Sequence, residues 1–250
     1  MALQEELEQQ GIWLFRYRGV LPIIILAVGL LLFLQTEMHP ETFYLKNSPF
    51  ELYFEMFCLG VSLLGLLIRI FVIGYVPKNT SGRTVKTQVA DSLNTTGIYS
   101  LVRHPLYLGN YFMWLGLAMM SENFWFAVAF TLLYWVYYER IMFSEEKFLR
   151  SKFGENYLKW AEKVPAFVPD FKNFVKPNLT FSWKKVVRKE INGLFLLILI
   201  FFFYDYLGIL TENQTDLNPF LLYSLIILIF VIVVIKIIKK KTDLLKQENR

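Results

Sequence analysis

Thr95-Thr96-Gly97-Ile98-Tyr99-Ser100-Leu101-Val102-Arg103-His104-Pro105-Leu106-Tyr107-Leu108-Gly109 decides how the rest of the chain is read. It leaves a polar loop and runs into apolar sequence, as a chain does where it re-enters a membrane. It holds one of only two histidines, an arginine, two tyrosines, two glycines and a proline. A plain connecting loop needs none of these aromatics. Pro105 suits the first turn of a helix, where its missing N–H costs nothing. Arg103 and His104 are therefore expected at the cytoplasmic-side mouth of a membrane helix, with Tyr107 one turn in. The free N–H groups of such a helix start favour an anion.

Outward from this stretch the chain is strongly apolar. Of its 250 residues 55% are apolar and 18% aromatic, and the mean hydropathy is +0.41. A soluble domain of this size rarely has so little polar surface. Six runs approach the roughly 17–25 residues needed to cross a hydrocarbon core: Val20–Leu34, Phe50–Ile73, Pro105–Met120, Phe124–Phe143, Ile191–Leu210 and Phe220–Ile238. The fold class expected is all-α, a polytopic integral membrane protein with about six transmembrane helices and a cytoplasmic-side cofactor pocket. Three parts are expected: an amphipathic lead-in over 1–19, a membrane core over 20–170, and a basic linker with two further helices over 171–250.

Charge distribution sets the orientation. Loops at 35–49, 121–123 and 211–218 hold one Lys or Arg between them, Lys46, whereas 1–19, 74–104, 144–190 and 236–250 hold 23 of the 26. By the positive-inside rule both termini and the two long loops face the cytoplasm. Cys58 is the lone cysteine, which excludes a disulfide framework or a Cys-based metal site and reads as a packing residue. No cleavable signal peptide is apparent, and no metal or nucleic-acid partner is expected. The first cytoplasmic loop, with Lys86 and Gln88, carries neither a Walker loop nor a Rossmann glycine fingerprint.

Charges inside or beside the apolar runs mark positions to watch. Glu51 and Glu55 read as outer-end carboxylates reaching water, Asp205 likewise, and Arg69 as a snorkelling side chain or a partner of Glu139. The fourth run passes Glu139, Arg140, Glu145 and Glu146 without a breaker, so its helix is expected to continue to about Phe153 and stop at Gly154. A short helix follows, then an extended Val164–Pro169. The basic stretch 172–190 reads first as a positive-inside anchor, and second as an attractor of anionic lipid. A three-residue outer turn, Ser121–Asn123, pairs the third and fourth helices as a hairpin. That pairing brings His104 and Tyr107 beside residues 140–146.

In this order Arg103-His104-Pro105-Leu106-Tyr107-Leu108-Gly109, a hydrophobic hairpin, Glu145-Glu146, Phe153-Gly154-Glu155-Asn156-Tyr157 and Val164-Pro165 closely resemble the isoprenylcysteine carboxyl methyltransferase family, whose broader kin are phospholipid methyltransferases. The resemblance covers about residues 84–170. It implies an integral membrane enzyme using S-adenosyl-L-methionine, with the cofactor in a cytosol-facing pocket and a lipid or lipid-linked substrate entering from the bilayer. It implies cofactor contacts from His104, Pro105, Leu106 and Tyr107, closure by Tyr99 and by Asp91, Ser92, Leu93 and Asn94, and a cofactor hydroxyl or ammonium on Glu145. It also implies an acceptor-orienting arginine just before the Glu-Glu pair. Arg140 is the nearest, while the matching position holds Ile141. A bacterial cytoplasmic membrane is the expected location. The competing reading is a sterol-reductase-like membrane enzyme binding a reduced nicotinamide cofactor. Such enzymes share the Arg-His-Pro-x-Tyr-x-Gly signature, but carry Asn where this chain has Leu106 and lack the Glu-Glu tail.

Overall fold

The computed structural model describes residues 2–43, 45–46, 48–77, 80, 90–212, 217–242 and 244–245, with the backbone alone at Leu21 and Glu212. Lys86, Gln88 and their neighbours, in the loop expected to be cytoplasmic, lie outside the described residues. Among those described the chain forms eight α-helices: α1 (Leu3–Arg16), α2 (Val20–Met38), α3 (Glu51–Tyr75), α4 (Pro105–Met119), α5 (Phe124–Phe153), α6 (Glu155–Ala161), α7 (Trp183–Glu212) and α8 (Pro219–Lys241). Their β-pairing is a single bridge between Gly97 and Val175.

Helix ends follow the local chemistry. Pro105 opens α4 with His104 as its N-cap residue. Asn123 caps α5 by accepting the Phe126 N–H at 3.0 Å, and Asn218 caps α8 just before Pro219. Gly154 ends α5 at φ +54°, a left-handed backbone that a side chain would strain, and turns the chain directly into α6. α7 starts at Trp183, eight residues ahead of the expected Ile191, because nothing in the charged stretch before Ile191 breaks a helix.

Among the described residues three helices are long and apolar enough to cross a membrane, Glu51–Tyr75, Trp183–Thr211 and Pro219–Lys241, rather than the six expected, and Pro22–Met38 is a shorter apolar helix. α4 has 15 residues, and α5 has 30 of which the second half is charged. The outward faces carry exposed Leu64, Leu67, Phe71, Leu132, Leu133, Phe230 and Val233, a surface suited to lipid rather than water.

α3 and α4 form the closest pair. A Cβ at Gly109 would lie 2.7 Å from the Arg69 Cγ, and Ser62 on α3 donates to the Met113 carbonyl of α4 at 2.9 Å. Small residues at a helix–helix contact let the backbones approach closely. One apolar cluster joins α2, α3, α4, α7 and α8 through Phe33, Cys58, Leu117, Phe201, Tyr204 and Leu221. Cys58 is fully buried there, as a packing residue should be. A second cluster joins α1 to α5 through Phe15, Phe130, Tyr134, Tyr138 and Ile141. α1 therefore lies against the inner half of α5, an arrangement the Lys147–Glu8 ion pair secures.

Several charged residues have partners the sequence did not reveal. Glu51 does not simply reach water: Lys46 bridges it at 2.6 Å to Glu37 at 2.7 Å, with the Lys46 and Glu37 side chains only 6% and 4% exposed. Asp205 accepts the Asn218 N–H at 3.1 Å. Arg69 pairs with Glu190 of α7, at 2.9 Å, in place of Glu139. Lys185, in the basic stretch read as an anchor, is buried and donates to the Val76 and Pro77 carbonyls at the end of α3.

Candidate functional site

The start of α4 meets the C-terminal half of α5. The Tyr107 hydroxyl donates to Glu145 Oε1 at 2.7 Å. His104 lies between two carboxylates, with Nε2 2.9 Å from Glu146 Oε1 and Nδ1 3.6 Å from Glu145 Oε2. Arg103 Nε is 3.0 Å from the same Glu146 oxygen. Two carboxylates thus face one guanidinium and one imidazole, and the charges balance only when the imidazole is protonated. Burial pulls the His104 pKa down, but hydrogen bonds and charge from Glu145 and Glu146 outweigh it, so His104 stands above its ordinary 6.5. Burial pushes Glu146 up, yet the hydrogen bond and charge of His104 and the charge of Arg103 win and hold it below its ordinary 4.5.

Aromatic rings continue the cluster. His104 and Tyr107 stack with centroids 5.9 Å apart, Tyr107 meets Tyr138 at 4.8 Å, and Tyr138 stacks on Tyr134 at 4.1 Å. The Tyr134 hydroxyl donates to the Tyr107 carbonyl at 2.7 Å. Burial, followed by the Glu145 charge, raises the Tyr99 phenol above its ordinary range, so it stays a neutral hydroxyl at physiological pH.

The segment after α6 is laced to the segment before α4. Arg103 N–H donates to the Pro165 carbonyl at 2.8 Å, His104 N–H to Ala166 at 3.2 Å, and Asp170 N–H to Leu101 at 2.9 Å. Arg103 Nη1 reaches the Ala161 carbonyl at 3.0 Å, and the Trp160 indole reaches the Tyr99 carbonyl at 3.3 Å. Residues 164–169 are not the extended run expected but bend at 164 and 166–168; outside any helix, their carbonyls stay open to neighbouring N–H groups.

A cavity of about 330 Å³ lies against this cluster. Ser92, Leu93, Asn94, Tyr99, His104, Pro105, Leu106, Tyr107 and Glu145 all line it. Asp91 is exposed and outside its wall. Arg140 is also elsewhere. Its Nε donates to Gln10 of α1 at 2.8 Å and its Nη1 to the Val136 carbonyl at 2.7 Å, in a separate groove between α1 and α5. The expectation that Arg140 stands at the acceptor end of this cavity is therefore corrected: its helical phase turns it toward α1. Ile141, at the matching position, is fully buried in the α1–α5 cluster. Sequence reasoning missed Phe15, Arg18, Asn110, Trp114, Tyr138 and Lys189, which also line the cavity. The only early signal was Arg69, a charge placed in an apolar run. Among the described residues no group of three or more His, Cys, Asp or Glu side chains could hold a metal ion.

Fold and site together define an all-helical membrane protein whose cavity opens where two hairpin-paired helices end, lined by rings, an imidazole and a carboxylate. Residues 55–156 match the phospholipid methyltransferase family model. The chain is 34% identical over 128 residues to a protein-S-isoprenylcysteine O-methyltransferase of Schizosaccharomyces pombe, covering 50% of this chain and 53% of that protein. It is 33% identical over 120 residues to the protein of the same name from Xenopus laevis, covering 45% and 42%. It is 37% identical over 111 residues to the cobalt-zinc-cadmium resistance protein CzcN of Cupriavidus metallidurans, covering 44% and 46%. The chain thus spans about half the length of these curated relatives, and no solved structure matches it. Its central residues are thus similar to the phospholipid methyltransferase family and to the protein-S-isoprenylcysteine O-methyltransferases.

Proposed function

We propose that this chain is an integral membrane methyltransferase that binds S-adenosyl-L-methionine in the cavity beside His104 and Tyr107 and methylates a lipid or lipid-linked acceptor. The observation that carries the reading is the hydrogen bond from Tyr107 to Glu145 at the cavity wall. It joins the two motifs of the family resemblance, 38 residues apart, at one surface.

The residues suit the cofactor. The cavity volume falls at the lower end of the roughly 300–1,000 Å³ usual for small-molecule sites. Glu145 keeps one oxygen on Tyr107 and offers further lone pairs to an ammonium or ribose hydroxyl. Tyr99, Tyr107, Tyr138 and Trp160 present rings to a cationic sulfur. When bound, S-adenosyl-L-methionine supplies a methyl group that is already electrophilic. The protein's part is then positioning and exclusion of water. His104, fixed by two carboxylates, holds Glu145 and Glu146 in place. The 160–170 segment covers the start of α4, and α5 carries the carboxylates in a continuous helix.

In this reading α2, α3, α4, α5, α7 and α8 make six crossings, α1 lies at the inner interface, and both termini are cytoplasmic, in a bacterial cytoplasmic membrane. The 20–170 core holds the methyl donor, and residues 171–250 complete the cavity.

Calorimetric titration of the detergent-purified chain tests the reading. S-adenosyl-L-methionine or its demethylated product is expected to bind, and Glu145→Ala or His104→Ala to weaken binding about ten-fold, the worth of one charge-assisted hydrogen bond. Binding of NADPH instead would replace the reading with the reductase one.

A further inference from the structure

The groove between α1 and α5 has a volume of about 510 Å³ and shares no lining residue with the cavity beside His104. From α5 it takes Leu133, Val136 and Arg140, spaced along one helix face, and from α1 it takes Gln10, Trp13 and Leu14. The two helices run antiparallel. Glu8 pairs with Lys147, Gln10 meets Arg140, and the Tyr137 hydroxyl donates to the Leu14 carbonyl at 3.2 Å. Gly11 allows the close approach, since a Cβ there would collide with the Arg140 carbonyl. The groove is graded along its length. Gln10 and Arg140 make one end polar, while Trp13, Leu133 and Val136, all exposed, make the other end apolar. About 10 Å of helix separates Leu133 from Arg140.

Arg140 is the one charged residue lining the groove among the described residues. It bonds only neutral acceptors, the Gln10 amide oxygen and the Val136 carbonyl. Its other N–H donors have no protein partner among the described residues. The carboxylates nearby are turned to other tasks. Glu8 pairs with Lys147, Glu6 accepts from Gln10, and Glu139 is exposed about 100° round α5 from Arg140. A guanidinium that keeps its charge at one end of an apolar trough fits a phosphate carrying a hydrocarbon chain. We propose that the α1–α5 groove is a binding site for an anionic phospholipid of the surrounding bilayer, with its phosphate on Arg140 and one acyl chain along Trp13, Val136 and Leu133. In the six-crossing topology the Arg140 end faces the cytoplasm and the Leu133 end faces the bilayer interior, so a lipid of the inner leaflet enters in its resting orientation. The site lies apart from the methyl-donor cavity and does not rest on the methyltransferase reading. Its occupant fastens α1 to α5 rather than being consumed.

The test uses the full chain in detergent and three probes with the same brominated acyl chains: phosphatidylglycerol, phosphatidylcholine and diacylglycerol. A brominated chain quenches a tryptophan that it touches. The difference between the native chain and Trp13→Phe isolates the Trp13 signal. Phosphatidylglycerol is expected to quench that signal at about ten-fold lower concentration than either other lipid. Arg140→Gln should bring phosphatidylglycerol to the level of phosphatidylcholine. Val136→Phe fills the apolar end without touching the bond between Arg140 and Gln10, and should weaken quenching by all three lipids. Melting curves of both variants without lipid, matching the native chain, report an intact fold. Equal quenching by the three lipids, or a phosphatidylglycerol preference unmoved by both variants, overturns the site. A particle of twice the chain's mass with Trp13 quenched by none of them gives the groove to a second copy and overturns it equally.

Discussion

The two ends of the helix bundle handle carboxylates differently. At the end where α4 begins, Glu145 and Glu146 meet Arg103 and a charged His104, so the sum is neutral, and Arg103, His104 and Glu145 line a cavity. At the opposite end Glu37 and Glu51 both pair with Lys46, and Glu122 lies close enough to feel all three charges. Burial first, then the Glu51 and Glu37 charges, push Glu122 up to about 7. The outer group reads as a buried clamp joining α2 to α3 through the connecting loop. The inner group is arranged around a space.

Three changes test that contrast. The largest effect belongs to the outer clamp. Lys46→Ala takes this cation from the buried Glu37 and the half-buried Glu51 and should destabilise the protein by about 3–5 kcal/mol, read by thermal or detergent-induced unfolding, with methyl-donor affinity of the folded fraction unchanged. A parallel loss of affinity would mean the two ends are coupled.

The inner cluster should show itself through pH. His104 is raised in the fold, so its stabilisation is full below its ordinary 6.5 and is lost as pH rises through its folded value. Glu146 is lowered, so its stabilisation is full above its ordinary 4.5 and is lost as pH falls through its folded value. The stability gap between the native chain and His104→Gln should therefore be widest between pH 4.5 and 6.5, about 1.5–3 kcal/mol, and narrow at alkaline pH. A gap that grows with rising pH would show a neutral imidazole and break the charge balance argued above.

The smallest effect is expected at Glu122, whose carboxylate Oε2 is buried without a hydrogen-bond partner. Its charged form is penalised as pH climbs from 4.5 through about 7. Glu122→Gln should thus stabilise above pH 7, by less than about 1 kcal/mol, and do nothing at pH 4. Melting curves at the two pH values separate these outcomes.

Much of this arrangement was legible in the residues. Pro105 opens α4, α5 runs to Phe153, Gly154 stops it, and the hairpin pairing brings Tyr107 to Glu145, because each feature follows from local chemistry and helical geometry. The direction of Arg140 was legible too, had its phase been followed. Five residues from Glu145 put it about 140° away around the helix, toward α1 and Gln10. The partner of Arg69 was not legible. Glu190 is 121 residues further along, in a stretch whose composition reads as an anchor, and only tertiary packing turns it inward. The strap from 160 to 170 is similar: Pro165 and Pro169 announce chain outside a helix, but not which N–H groups their neighbours would satisfy.

The span between Arg69 and Glu190 also constrains how the molecule is made. A ribosome that has delivered α3 to the bilayer must add more than a hundred residues before the counter-ion for that guanidinium exists. Until then the nascent chain carries that guanidinium without Glu190, and in the six-crossing topology proposed above its preference for the cytoplasmic side would act on α3 before the ion pair closes.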